Sequence, residues 1–208
     1  MSTPARKLMI ISGSHRLESQ SERVGHFIEK LAQKMTPAYD TDFFTLAGNP
    51  LPLFDTDLWS MKGVWPKVWA PIQTRLRAAD CFVVISPEWN GMVPPGLKNF
   101  FTLCSNQELG HKPAMIVTVS AGTGGAYPVA ELRMSSYKNN HLCWIPEHVI
   151  VRHAETALLD PEKSNSKEDD IVRVRLSYGL KLLAQYSMAL QQVRESGVVD
   201  HKAFANGM

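Results

Sequence analysis

The sequence has few cysteines and no long apolar run. Its 208 residues include three cysteines, Cys81, Cys104 and Cys143, and none belongs to a C-x-x-C pair. Isolated cysteines predict reduced thiols of a cytoplasmic protein, because a disulfide framework needs pairs. No apolar stretch approaches the ~18 residues of a membrane-spanning helix. The amino-terminal residues lead into an expected strand rather than into the apolar core of a signal peptide, so we expect a cytoplasmic protein that does not enter a membrane.

An excess of charge of one sign is also missing. Lys and Arg total 22, Asp and Glu total 20, and the formal net charge is +2. Neither half of the chain carries a basic patch or an acidic tail, so nucleic acid is not an expected partner. Internal repeats, low-complexity tracts and linkers are absent too. A length of 208 residues suits one domain over residues 1–208, and we expect a loose carboxyl-terminal tail from about residue 197.

The residues that are present repeat a strand–loop–helix pattern. Short apolar runs predict five strands, over residues 8–11, 42–46, 81–85, 114–119 and 148–151. Apolar residues at helical spacing predict five helices, over residues 20–32, 65–76, 96–104, 128–138 and 171–193. Strands that alternate with helices predict an α/β fold, in which right-handed crossovers place helices on both faces of a parallel sheet.

Three of the predicted helices carry further signals. Ser19 and Glu22 form a capping-box pattern at the start of the first helix. Pro71 predicts a bend in the second helix. The last helix has apolar residues at Ile171, Val174, Tyr178, Leu182, Tyr186, Ala189 and Val193. This spacing predicts a long amphipathic helix, with surface left over for a partner subunit.

The first of three unusual loops, residues 13–21, combines serines with one arginine. Backbone N–H groups at a helix start, serine hydroxyls and the Arg16 guanidinium suit a phosphate group. The glycine patterns of P-loops and Rossmann folds are absent. Two interpretations stay open at this point: a phosphate site, and a serine-rich helix cap with a solvated Arg16. Glu18 is an unfavourable neighbour for a phosphate unless its side chain points away.

The other two loops follow the third and fourth strands, so all three lie at one edge of a parallel sheet. The second loop, residues 87–99, offers the aromatic face of Trp89 and the paired donor and acceptor of Asn90, which suit a flat heterocycle. An aromatic residue capping an Asn-Gly turn is the alternative. The third loop, residues 120–125, has three glycines, which allow close backbone approach or merely a sharp turn. Together the loops suit a mononucleotide such as FMN.

The three motifs resemble those of the NADPH-dependent FMN reductase family. They are Gly13-Ser14-x-Arg16-x-x-Ser19, then Pro87-Glu88-Trp89-Asn90-Gly91 with Gly96-Leu97-Lys98-Asn99, then Gly122-x-Gly124-Gly125. The resemblance implies a flavodoxin-like three-layer sandwich whose five-stranded parallel sheet has the order 2-1-3-4-5. It implies bound FMN, NAD(P)H as co-substrate, and ping-pong hydride transfer to a small acceptor such as a quinone, an azo compound, a metal ion or free flavin. It also implies a homodimer or homotetramer.

The same resemblance assigns residues to the cofactor. The FMN phosphate would be held by Ser14, Arg16, Ser19 and Ser21. The isoalloxazine ring would lie between Pro87, Glu88, Trp89, Asn90 and Gly91 on one side and Ser120, Gly122, Gly124 and Gly125 on the other. No catalytic acid–base side chain is expected, because flavin N5 would carry the hydride. Three residues depart from the family pattern: Ser21 replaces a common Asn, Trp89 replaces the commoner Tyr, and Thr102 replaces an Asp.

Other functions stay open from the residues alone. A flavodoxin-like electron carrier or flavin-binding sensor is one, although the near-neutral charge weighs against the acidic docking face of a carrier. A fold that has lost its flavin is another. We expect no metal site, because His148 and His153 lack a third ligand, and no reactive thiol at Cys104. Residues 50–65 would either pack against the core or form a lid over the flavin.

Overall fold

The computed structural model describes residues 5–207, which form a five-stranded parallel sheet in the order β2-β1-β3-β4-β5. The strands are β1 (Lys7–Ser12), β2 (Asp40–Thr45), β3 (Cys81–Pro87), β4 (Pro113–Val119) and β5 (Cys143–Val151). This order confirms the 2-1-3-4-5 sheet and the flavodoxin-like fold class. The chain reverses its direction of winding between β1 and β3, so the carboxyl ends of these strands border a crevice.

Helices cover both faces of the sheet. They are α1 (Gln20–Gln33), α2 (Trp65–Val68), α3 (Ala70–Ala78), α4 (Pro95–Leu103), α5 (Asn106–Leu109), α6 (Ala126–Ser135) and α7 (Lys167–Glu195). Helices α1 and α7 pack on one face, and the core under the opposite face includes residues of α2, α3, α4, α5 and α6. Within residues 5–207, no helix combines the length and the apolar character needed to cross a membrane.

The strands alternate between two cores. Met9 and Ile11 belong to the core under α2 to α6, whereas Leu8 and Ile10 belong to the core under α1 and α7. Successive side chains of a strand point to opposite faces, so a strand covered on both sides must be apolar throughout. Every residue of β3 and β4 is accordingly buried, which is why these strands are continuous apolar runs in the sequence.

The predicted helix over residues 65–76 is divided into α2 and α3 at Trp69. Pro71 lies in the first turn of α3, where its missing N–H removes no helical hydrogen bond. Pro71 therefore marks the start of a second helix rather than a bend within one. Trp65 and Trp69 on either side of the break are both buried in the core. The structure also adds the short helix α5, which was not predicted, and starts β5 five residues earlier than expected, at Cys143.

The start of α1 shows half of the predicted capping box. The Ser19 hydroxyl accepts a hydrogen bond from the Glu22 N–H at 3.1 Å. The Glu22 carboxylate does not return to Ser19 but accepts from the Thr45 hydroxyl at 3.1 Å. Glu22 therefore connects α1 to the carboxyl end of β2.

Helix α7 buries a different face from the one its apolar spacing indicates. The face that packs on the sheet includes Leu176, Gly179, Leu180 and Leu183. Gly179 allows this contact, because a Cβ there would lie 2.4 Å from the Met115 sulfur. The exposed large apolar residues of the helix are Ile171, Val174, Tyr178, Tyr186 and Val193. The predicted helix is confirmed. Most of the stripe that predicted it faces outward, whereas Leu182 of the same stripe is partly buried against the core.

Candidate functional site

Three loops lie side by side at the carboxyl edge of the sheet. We call them loop 1 (residues 13–19), loop 2 (residues 88–94) and loop 3 (residues 120–125). They follow β1, β3 and β4, which are neighbours in the sheet. Every residue predicted to hold a cofactor lies in these loops or within two residues of them. The fold therefore brings all three predicted motifs together.

Loop 1 leaves β1 in close contact with β3. The Gly13 N–H donates to the Ile85 carbonyl at 2.8 Å, and a Cβ on Gly13 would lie 2.7 Å from that oxygen. Glycine is therefore required here for the loop to leave the sheet. The Ser14 side chain is buried, and its hydroxyl accepts from the Arg16 N–H at 3.3 Å. Glu18 is exposed at the outer part of the loop.

The end of loop 1 presents hydrogen-bond donors with no protein acceptor. The Arg16 guanidinium is exposed, and among residues 5–207 it has neither a hydrogen bond nor an ion pair. The first two N–H groups of α1, from Gln20 and Ser21, are likewise without an acceptor in the described chain. The next N–H of the helix is already capped by Ser19. Free N–H groups at a helix start next to a guanidinium attract an anion.

Loop 2 is built around the predicted Asn-Gly turn. Asn90 and Gly91 both have left-handed φ, +52° and +73°. The Trp89 N–H donates to the Met92 carbonyl at 3.1 Å, and the Met92 N–H donates back to the Trp89 carbonyl at 3.0 Å. Two central residues with positive φ define a type I′ turn, for which Asn-Gly is the preferred sequence. The turn holds Trp89 half-buried and Asn90 exposed.

Loops 1 and 2 contact each other through two aromatic rings. The ring of His15 meets the ring of Trp89 at a centroid distance of 4.4 Å, nearly perpendicular at 89°. Edge-to-face packing of this kind is the favoured geometry for ring pairs. The Nδ1 atom of His15 is buried and has no hydrogen-bond partner within residues 5–207. No local pattern predicted this contact, because His15 and Trp89 are far apart in the chain.

Loops 2 and 3 are joined by a carboxylate. Glu88 accepts a hydrogen bond from the Gly125 N–H. Gly124 lies against the same carboxylate, and a Cβ there would be 2.8 Å from Glu88 Oε1. The φ of Gly125 is +101°, and the Thr118 hydroxyl donates to its carbonyl at 2.8 Å. Gly124 and Gly125 therefore form the contact between loops 2 and 3, and the Glu88 side chain is engaged in that contact.

Gly122 has a different environment from the other glycines of loop 3. A Cβ on Gly122 would have no atom of the described chain within 4 Å, and its φ lies outside the left-handed region. Its carbonyl accepts from the His153 N–H at 3.0 Å, and the Ser120 N–H donates to the Val151 carbonyl at 2.9 Å. The loop is therefore anchored to the end of β5 while the backbone at Gly122 faces open space.

The lysine and asparagine of the second motif support neighbouring segments. Lys98 forms an ion pair with Glu131 of α6. Burial opposes ionisation of Glu131, but the hydrogen bonds from Lys98 and from the Val93 N–H outweigh it and lower the pKa of the carboxyl. Asn99 accepts from the Phe54 N–H at 2.9 Å and donates to the Pro52 carbonyl at 2.8 Å. Asn99 therefore anchors the segment after β2.

Residues 50–65 are held at their two ends. Asn99 binds the beginning of the segment, and the buried Trp65 indole N–H donates to Asp55 at 2.8 Å near its end. Between these points Trp59 is 76% exposed. Of the tryptophans of this region, Trp65 and Trp69 are core residues and Trp59 is on the surface.

Tyr127 is a further candidate residue at this edge. It lies in the first turn of α6, is 71% exposed, and would be 3.6 Å from a Cβ on Gly91. An exposed aromatic ring beside the Asn-Gly turn is available to a ligand that lies across loops 2 and 3. The sequence signal was weak: an aromatic residue two positions after the glycines of loop 3.

The chain matches known proteins along most of its length. The family model described as NADPH-dependent FMN reductase matches residues 6–156. A probable NADPH:quinone oxidoreductase of Oryza sativa subsp. japonica is 27% identical over 192 residues, which are 91% of this chain and 95% of that protein. An NADPH:quinone oxidoreductase of Arabidopsis thaliana is 26% identical over 194 residues, 90% of this chain and 95% of that protein.

A solved structure shares the fold. A flavoenzyme NAD(P)H:(acceptor) oxidoreductase from Paracoccus denitrificans superposes with a TM-score of 0.68 at 22% identity, covering 88% of this chain and 99% of that one. The family match contains β1 to β5 and all three loops. The resemblance drawn from the loop motifs is thereby confirmed, and with it the expectation of an oxidoreductase that uses FMN and NAD(P)H. This chain belongs to the NADPH-dependent FMN reductase family.

Proposed function

We propose that this chain binds FMN across loops 1, 2 and 3 and reduces quinones or similar small acceptors with NAD(P)H. One observation carries the proposal: within the described chain, donors without an acceptor at loop 1 and uncovered glycine backbone at loop 3 lie at one edge of the sheet, on loops that contact one another. A mononucleotide has a matching shape, with an anionic end and a flat ring. The quinone oxidoreductases among the relatives support the class of acceptor.

The phosphate would bind at the start of α1. The Arg16 guanidinium and the hydroxyls of Ser14, Ser19 and Ser21 would donate to it, together with the free N–H groups of the first helical turn. A charge-assisted hydrogen bond of this kind contributes about 1.5–3 kcal/mol. The exposed Glu18 can turn its carboxylate into solvent, which removes the conflict with a phosphate dianion.

The ring would lie against loops 2 and 3. The residues assigned to it are Pro87, Glu88, Trp89, Asn90, Gly91, Ser120, Gly122, Gly124 and Gly125. Because the Glu88 carboxylate already binds the Gly125 N–H, we assign Glu88 to positioning the two loops rather than to a side-chain contact with the ring. Gly122, whose backbone is uncovered, is the residue of loop 3 that a flat ring could approach most closely.

Bound FMN would supply the redox chemistry, accepting a hydride from NAD(P)H and passing it to the acceptor with ping-pong kinetics. The protein would hold the ring, restrict its access to water and stabilise negative charge on it with backbone N–H groups of loops 2 and 3. No side chain at the edge needs to act as an acid or a base. The protein would therefore contribute by positioning the flavin ring and by stabilising its charge.

We also propose a homodimer or homotetramer. The outward stripe of α7, Ile171, Val174, Tyr178, Tyr186 and Val193, offers apolar surface on one side of the helix, and such surface is typical of subunit contacts. Light scattering during gel filtration measures the assembly. A Val174→Glu and Tyr178→Glu double variant should shift the mass to that of a monomer, and an unchanged mass would assign the contact to another surface.

The absorbance spectrum and one turnover assay test the proposed function. We expect flavin bands in the purified protein or after addition of FMN, and steady NAD(P)H oxidation when a quinone is added. Flavin bands without turnover would indicate an electron carrier or a sensor instead. A colourless protein that does not bind FMN would show that the flavin site has been lost.

A further inference from the structure

Three histidines meet at the amino edge of the sheet, opposite the three loops. His111 lies before β4, His141 lies before β5, and His201 lies in the segment after α7. One ring nitrogen of each lies within 4.8 Å of the corresponding nitrogens of the other two. The cluster is remote from loops 1 to 3, because parallel strands place their amino ends at the other edge of the sheet. The proposed flavin site therefore gives it no role.

The backbone holds two of these residues in fixed positions. The His111 N–H donates to the His141 carbonyl at 2.9 Å, and the His111 carbonyl accepts from Arg194 at 2.8 Å. Both histidines have left-handed φ, +53° and +57°, a conformation that residues with a Cβ rarely adopt. Two imidazoles are thus presented on a pair of hydrogen-bonded loops, as ligands of a preformed site must be.

The third ring is seated against this pair by the chain after α7. The His201 ring stacks on His111 at a centroid distance of 5.7 Å and meets His141 at 5.6 Å. Gly110 leaves room for it, since a Cβ there would lie 3.2 Å from His201 Cε1. Asn106 of α5 donates to the Ala205 carbonyl at 3.0 Å and holds the same segment.

The chemistry of the cluster favours a metal ion. Nε2 of His141 is buried without a hydrogen-bond partner in residues 5–207, and a buried polar atom needs a partner. A histidine binds a metal ion through a neutral imidazole nitrogen. Arg194 opposes a cation here, so the ligands must bind by strong coordination rather than by charge.

We propose that His111, His141 and His201 bind one divalent transition metal ion of the zinc type. Three imidazoles with a fourth position for water are a common zinc ligand set, whereas magnesium and calcium prefer oxygen. Zn–N bonds of about 2.0–2.1 Å place tetrahedral ligand nitrogens about 3.3 Å apart. The rings must therefore approach each other slightly on binding. The ion would fix residues 200–207 to the loops before β4 and β5.

Metal titration of the full-length protein tests the site. After removal of metals with a chelator, Zn²⁺ is titrated by calorimetry and Co²⁺ by absorbance. We expect one ion per chain and the visible band of tetrahedral Co²⁺. His201→Ala should weaken Zn²⁺ binding at least about a hundredfold, because loss of even an outer partner of a ligand costs about 10- to 100-fold.

The matched control is His26→Ala, which removes an exposed histidine of α1 outside the cluster. It should bind Zn²⁺ as the unchanged protein does. Limited proteolysis adds a readout of the segment: Zn²⁺ should protect residues 200–207 in the unchanged protein and not in His201→Ala. Equal Zn²⁺ affinity of His201→Ala and the unchanged protein, or no saturable binding, would overturn the proposal. Both variants retain loops 1 to 3, so FMN binding reports separately on the proposed function.

Discussion

Gly122→Ala separates FMN binding from folding more sharply than any other single change at the edge. In the free protein the new Cβ meets no atom of residues 5–207 within 4 Å, and the backbone there does not need a left-handed φ. Stability should therefore be unchanged, or rise by up to about 1 kcal/mol because alanine restricts the unfolded chain. If the flavin ring lies on this backbone, the same methyl group occupies the space of the ring.

The magnitude follows from the cost of overpacking. Inserting a methyl group into a filled contact costs about 1–3 kcal/mol, which corresponds to a roughly 5- to 150-fold rise in the FMN dissociation constant. Quenching of flavin fluorescence measures that constant. Urea unfolding of the FMN-free protein measures stability in the same preparation.

Gly124→Ala provides the contrast. Its Cβ would lie 2.8 Å from Glu88 Oε1, so it should disturb the junction of loops 2 and 3 and lower both stability and FMN affinity. Gly122→Ala should lower affinity alone. If Gly122→Ala binds FMN with unchanged affinity, the ring does not lie against Gly122, and the assignment of loop 3 is refuted.

Three further predictions concern single side chains. Arg16→Ala should weaken FMN binding about 10- to 100-fold and leave riboflavin binding unchanged, since riboflavin has no phosphate; equal losses for both ligands would rule out the phosphate role. Glu88→Ala should lower the free energy of unfolding by about 1–3 kcal/mol in denaturant titrations, because it leaves the Gly125 N–H without its acceptor. Lys112 is buried against the end of α3, and burial lowers its pKa to about 8. Between pH values of about 8 and the ordinary lysine pKa, the unfolded chain therefore binds more protons at this residue than the folded protein does. The free energy of unfolding consequently rises with pH over this range. When the pH falls from 10 to 7, the free energy of unfolding of the unchanged protein should drop by about 2 kcal/mol relative to that of Lys112→Met. Parallel curves of unfolding free energy against pH for the two proteins would contradict the lowered pKa of Lys112.

Local sequence patterns predicted where turns and helices lie better than they predicted where helices break and which faces are buried. The Asn90-Gly91 turn was predictable because two adjacent residues with positive φ require this kind of sequence. The division of the second predicted helix was not, because a bend at Pro71 and a new helix start share the same local sequence. For α7, apolar spacing found the helix and indicated spare surface for a partner. It did not identify the face around Gly179 that packs on the sheet, because a glycine joins that face by allowing close approach to Met115 rather than by being apolar.

The sequence by itself determined the parallel sheet, the order of its elements, and the three loops that carry the family motifs. These follow from hydrophobic periodicity and turn chemistry, which act over a few residues. Only the tertiary structure decided that Glu88 joins loops 2 and 3, that His15 packs on Trp89, and that His111, His141 and His201 converge. The physical reason is that such contacts join residues far apart in the chain. Their distances are set by how strands and helices pack, and no local pattern records them.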